Sequence, residues 1–211
     1  GGLVWVPCPG GGSIQVAGDI TKPVARLLPD AAEAGISMCG MGYRDPNDQI
    51  AVRILELKAP AHDLSGLALC WLGMGSEGRG EQTMATDPDT GLIFVTNDES
   101  LAPDAIRERL LPFARAVNEA MDRCGYPLCK GGVMAMNPRW CASLDEWKAA
   151  FAGWIDRGDP TSLLAANIFF DFRALWGESR LADALRADIS QHAQANPRFL
   201  KQMSDNALLN R

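Results

Sequence analysis

Gly73, Gly75, Gly78 and Gly80 punctuate a short run that also carries Ser76, Arg79 and Glu81, and Asp87 and Asp89 follow a few residues later. Glycines let backbone N–H groups come close to a phosphate, while Ser76 and Arg79 can donate to its oxygens. Two carboxylates at i and i+2 share a face if the backbone is extended. At that spacing they repel and raise each other's pKa unless a cation lies between them. Magnesium suits the pair, because it takes one or two carboxylates and completes its shell with water and phosphate oxygens. Turn and carboxylates together would hold a nucleoside triphosphate for attack at its α-phosphate. The metal would stabilise the attacking oxygen and the departing pyrophosphate.

Two other readings compete for the same residues. Gly73-Met74-Gly75-Ser76-Glu77-Gly78 is literally GxGxxG after an apolar run, and Asp98 lies downstream as a dinucleotide-binding acid would. That fingerprint needs its third glycine inside a helix long enough to cross back over a sheet. The segment from Arg79 to Thr90 is short and polar and contains Pro88, which disfavours it. The plainer alternative is a tight Asp-Pro-Gly turn between two strands.

The elements that must position these residues follow from apolar spacing. Leu67 to Leu72 and Leu92 to Thr96 predict buried strands, and Tyr126 to Met136 holds a third strand candidate. Ile50, Ile54 and Leu57 mark a helix over about 47–57. Ile106, Leu110, Phe113, Val117 and Met121 mark a long one over 103–123, with Pro112 implying a kink or two helices. The first dozen residues predict poor order, and from Ile14 onward the chain predicts helices broken by prolines. After Pro138 the pattern predicts helices only, opening on the capping box Ser143-Leu144-Asp145-Glu146 with Trp147, Phe151, Trp154 and Ile155 behind it. The expected class is α+β: a small mixed β-sheet flanked by helices, with a C-terminal helical bundle.

Composition narrows the classes. The 211 residues are 47% hydrophobic, enough for one sizeable core, and no apolar run is long enough to span a membrane. A formal net charge of −6 without a basic stripe argues against a nucleic-acid partner. Six cysteines without a CxxC pair, beside only two histidines, disfavour a zinc site or a disulfide framework. They predict free thiols in a reducing cytoplasm. Gly1 to Pro7 lacks the charged region of a signal peptide and looks like an expression scar or excised boundary.

The pattern Gly75-Ser76, then Asp-x-Asp leading into a strand, resembles the DNA polymerase beta superfamily of nucleotidyltransferases. GSEGRGEQ followed by TDPDTGLIF is similar to the N-terminal catalytic region of the PII-protein uridylyltransferases. It is more similar still to nucleotidyltransferases often fused to CBS and cyclic-nucleotide-binding domains. The likeness runs on through CGYPLCKGGVMAMNPRWCASLDEW and IFFDFRALWG, from about Asn47 to the C-terminus. The resemblance implies a nucleotidyltransferase core over 47–137, preceded by a tail and helices over 1–46 and followed by the bundle over 138–211.

It implies an NTP substrate, Mg2+ on Asp87 and Asp89, a protein acceptor, and CBS or cyclic-nucleotide-binding partners in a longer chain. Gly75, Ser76, Gly78 and Arg79 would serve the triphosphate, and Lys130, beside two glycines, could reach phosphate or stand exposed. Two departures are visible. The family usually reads TDQDN, whereas Pro88 and Thr90 stand here, and the expected third carboxylate is missing from 128–134. Asp171, near Asn167 on an apolar segment, is a substitute candidate, or else pairs with Arg173 or Arg139. His62 and His192 read as surface or cap residues, and Trp140, Trp147, Trp154 and Trp176 as core. The alternative function is a catalytically impaired nucleotide-binding or regulatory module.

Overall fold

Two short apolar runs, Leu67–Met74 and the β-branched-rich Asp89–Thr96, form the centre of a four-stranded sheet. In the computed structural model, residues 3–7, 13–17, 46–79, 88–98, 100–157 and 169–209 are described. Strands β1 (Leu3–Pro7) and β2 (Ser13–Ala17) form a separate antiparallel ladder. Helix α1 (Pro46–Lys58) leads into β3 (Leu67–Met74), the short helix α2 (Ser76–Arg79) and β4 (Asp89–Thr96). Helix α3 (Pro103–Arg123), β5 (Cys141–Ser143), α4 (Leu144–Arg157), β6 (Phe172–Gly177), α5 (Ser179–Gln194) and α6 (Pro197–Leu209) complete the order.

The main sheet runs β5-β4-β3-β6. Strand β3 is antiparallel to both β4 and β6, and β4 is parallel to β5, so the sheet is mixed. Alternation along β3 and β4 divides the core in two. Leu69, Trp71, Leu92 and Phe94 face α1 and α3, while Cys70, Leu72, Met74 and Ile93 face α4, α5 and α6. Covered on both faces, these strands read as unbroken apolar runs rather than as alternating ones.

The α+β class is as the sequence predicts, and so is the burial of Ile106, Leu110, Phe113, Val117 and Met121 on α3. Helix α3 is continuous through Pro112, which is exposed. Trp140, Trp147, Trp154, Phe151 and Ile155 are buried, and Trp176 packs at the edge of the core. The capping box forms: Ser143 N donates to Glu146 Oε2 at 2.8 Å and Glu146 N to Ser143 Oγ at 3.2 Å.

Several local expectations fail. Leu3–Pro7 and Ser13–Ala17 are strands where a disordered start and a helix were expected, and Leu57 is exposed. The third strand is not in Tyr126–Met136, which is a chain of turns, but at Cys141–Ser143. The region after Pro138 is not helical throughout, because Cys141–Ser143 and Phe172–Gly177 join the main sheet. Both strands are short, and residues 172–177 alternate too weakly for period to separate strand from helix.

Gly177 carries β6 along β3. Its φ is +86°, and a Cβ there would lie 2.2 Å from the Leu69 carbonyl oxygen, so the close approach of the two chains requires glycine. Among the described residues no helix is long and apolar enough to cross a membrane.

Candidate functional site

Met74, the last residue of β3, pairs with Asp89 on one side and Phe172 on the other. The sheet therefore brings three segments together at one end: the Gly75-Ser76 turn, the start of β4 at Asp89, and Asp171 just before β6. Gly75 turns the chain at φ +60°, and its N–H donates to the Asp171 carbonyl at 2.9 Å. That N–H is thus engaged within the protein. Ser76 opens α2 directly beyond it.

Gly78 is dictated by the same carbonyl. A Cβ at 78 would lie 2.0 Å from the Asp171 oxygen and 2.6 Å from its carbon, so the α2 turn sits against the backbone ahead of β6. This glycine answers to a chain-to-chain approach, a cause the sequence pattern cannot separate from approach to a phosphate.

Asp89 is half-buried and held near Cys129, whose thiol lies within hydrogen-bonding reach of the carboxylate. Burial pushes the Cys129 thiol pKa up; the Val133 backbone offsets part of this, and Asp89 pushes it further. Cys129 and Lys130 share one turn, and the Lys130 side chain is exposed. Pro88, between the two aspartates, is buried. Asp87 lies outside the described residues, as do Gly80, Glu81 and Asn167, and of Arg79 only the backbone is described. Among the described residues no three His, Cys, Asp or Glu side chains group as a metal site. The Asp89 carboxylate and the Ser76 hydroxyl offer oxygen donors of the hard kind that suit magnesium.

Asp171 stands exposed in a bend, so the cost of burying a carboxylate on an apolar helix does not arise there. The guanidinium of Arg173 forks onto the buried Asp48 of α1, with Nη2 2.5 Å from Oδ1 and Nη1 on Oδ2. Arg139 lies over the Trp140 ring, 4.7 Å from its centroid. His62 sits edge-on to Phe113, and His192 is exposed in the last turn of α5.

The dinucleotide alternative is overturned by topology. Helix α2 has four residues, β3 and β4 are antiparallel, and Asp98 accepts from Ser100 N and Oγ at 3.0 and 2.6 Å in a turn ahead of α3. A dinucleotide site needs a crossover helix between parallel strands.

Sequence reasoning missed what holds Asp89 in place. Thr90 is fully buried, and its Oγ1 accepts from Asn118 Nδ2 at 3.2 Å and Ala135 N at 3.1 Å. Its own N–H donates to Val133 O at 3.1 Å. The signal was present: Asn118 lies one turn beyond Ala114 on the apolar face of α3, where an amide needs a partner.

Against known families, the chain matches the model described as Putative nucleotidyltransferase DUF294 over residues 22–161. It takes in the Gly75-Ser76 turn, both aspartates and the Cys129-Lys130 turn. It begins upstream of Asn47 and stops short of IFFDFRALWG, so Asp171 lies outside it. No curated protein and no solved structure gives a significant match.

Proposed function

The chain belongs to the nucleotidyltransferase family matched over 22–161, and from that premise we propose how its own residues divide the work. The reaction moves a nucleoside monophosphate from an NTP to an acceptor hydroxyl, on a protein, as in the uridylyltransferases it resembles. One observation carries this reading: the Gly75-Ser76 turn, Asp89 and Asp171 converge at the Met74 end of the sheet.

In this proposal Gly75 sets the turn and Ser76 donates its hydroxyl to the triphosphate, with Arg79 and Lys130 reaching the phosphate oxygens. Gly78 serves by letting α2 close against β6. Asp87 and Asp89 would hold Mg2+, which when bound offsets charge on the attacking and leaving oxygens. Asp171, exposed at the same end, takes the place of a third carboxylate and accepts the proton of the acceptor hydroxyl. CBS or cyclic-nucleotide-binding domains in a longer chain would regulate access, in the cytoplasm, without nucleic acid or membrane.

A second reading, a regulatory module that binds nucleotide without turnover, has its own support. Strand β5, the parallel neighbour of β4, is Cys-Ala-Ser and carries no carboxylate, and the buried Pro88 removes a donor between the aspartates. Labelled transfer from each α-32P NTP, with a thermal-shift titration with and without Mg2+, separates the two. The enzyme reading expects Mg2+-dependent transfer, abolished in the Asp87→Ala/Asp89→Ala variant. Mg2+-independent binding, unchanged in that variant and without transfer, would establish the regulatory module instead.

A further inference from the structure

Among the described residues only Asp48, Thr90 and Asn118 are buried polar or charged side chains. Asp48 has the Arg173 fork as its partner. Thr90 and Asn118 form the other polar group, and it lies directly behind Asp89. Four hydrogen bonds tie three segments there. Thr90 Oγ1 receives Asn118 Nδ2 and Ala135 N, Thr90 N reaches Val133 O, and Asn118 Oδ1 receives Met136 N at 3.0 Å.

The far side of the same loop is fixed as well. Gly132 N donates to Cys129 O at 2.9 Å, and Asn137 Nδ2 donates to Gly132 O at 3.0 Å. From this loop Cys129 reaches the Asp89 carboxylate. Alternation along β4 puts the Asp89 and Thr90 side chains on opposite faces. The loop therefore holds the strand end at both residues.

A buried hydroxyl in a strand costs stability unless it is bonded, and valine would fill the space without that cost. Threonine here gives an acceptor that valine lacks. We propose that Thr90 and Asn118 are positioning residues, which fix the Asp89 carboxylate and the turn bearing Lys130 as one rigid unit facing the bound metal and phosphate. The proposal rests on Asp89 being a metal ligand, as argued above.

Without Oγ1, the Asn118 and Ala135 N–H groups stay buried without an acceptor. Loop and helix then part from β4, and Asp89 loses its fixed direction. Serine at 90 keeps the oxygen.

The test is a Mn2+ titration of the whole chain followed by electron paramagnetic resonance, with thermal unfolding of every variant. Thr90→Val should weaken Mn2+ binding about tenfold or more, as loss of a ligand's support typically does, while Thr90→Ser stays near wild type. Asn118→Ser, a milder change, should weaken it in the same direction and carries the comparison if Thr90→Val does not fold. In transfer assays kcat should fall while KM for the NTP holds. Folded Thr90→Val or Asn118→Ser with wild-type Mn2+ affinity, beside an Asp89→Asn variant that has lost it, would overturn the proposal and leave the metal site standing. Wild-type Mn2+ binding indifferent to Asp89→Asn would overturn both.

Discussion

Gly78→Ala is the sharpest perturbation the fold offers, because its target is backbone and cannot swing aside. The new Cβ would lie 2.0 Å from the Asp171 oxygen, whereas real Cβ contacts stay above 3.0 Å. The α2 turn or the chain before β6 must therefore yield by about 1 Å. That same oxygen accepts from Gly75 N at 2.9 Å, so the movement breaks the bond that seats the Gly75-Ser76 turn. Loss of the bond costs about 1 kcal/mol. The overpacking adds about 1–3 kcal/mol.

Urea unfolding, with an m-value of about 2–3 kcal/mol/M for a chain of this size, should place the midpoint roughly 1 M lower. A displacement of about 1 Å at Ser76 should cost on the order of 100-fold in transfer rate. Gly177→Ala strains the opposite end of β6, where a Cβ meets Leu69 O at 2.2 Å, and should cost stability with a much smaller loss of rate in the folded fraction. If Gly78→Ala unfolds within about 0.5 kcal/mol of wild type, the close approach to Asp171 is not what demands glycine, and the reasoning fails.

Asp48→Ala removes the carboxylate onto which the Arg173 guanidinium, about a third exposed, forks, and should cost roughly 2–3 kcal/mol in urea unfolding, less than for a fully enclosed pair. Burial alone would raise the Glu146 pKa, but the Ser143 N–H and the Arg107 guanidinium together hold it below the ordinary value. Its stabilisation is therefore full above the unfolded carboxyl's range and lost as pH falls through the lower folded value; the Tm gap between wild type and Glu146→Gln should close on acidification. Ser143→Ala removes the cap oxygen and should cost about 1 kcal/mol by the same unfolding measurement. Burial pushes the Cys70 thiol up to about 11 and the Cys141 thiol to about 12, so neither should label with a maleimide at pH 8 before unfolding. Site-resolved mass spectrometry should find half-exposed Cys129 labelled ahead of both.

Features that depend on neighbours along the chain are legible from the residues themselves. The apolar runs of β3 and β4 and the period of α3 state what each segment must bury. The Ser143–Glu146 box is local hydrogen bonding, and the Gly75-Ser76 turn and the Asp-x-Asp pair lie within the residues the family model matches. Tertiary structure alone decided what depends on distant partners. A strand as short as Cys141–Ser143 takes its identity from the Leu92–Phe94 backbone beside it, not from any period of its own. Phe172–Gly177 is a strand because β3 offers it an edge. Asp171, a costly carboxylate if the segment were helix, is exposed, and its carbonyl seats both Gly75 and Gly78. For Gly78 the fold supplies the cause, the Asp171 backbone opposite it, which sequence cannot part from approach to a ligand. A glycine needed against another chain and one needed against a ligand look alike until the fold says what lies opposite.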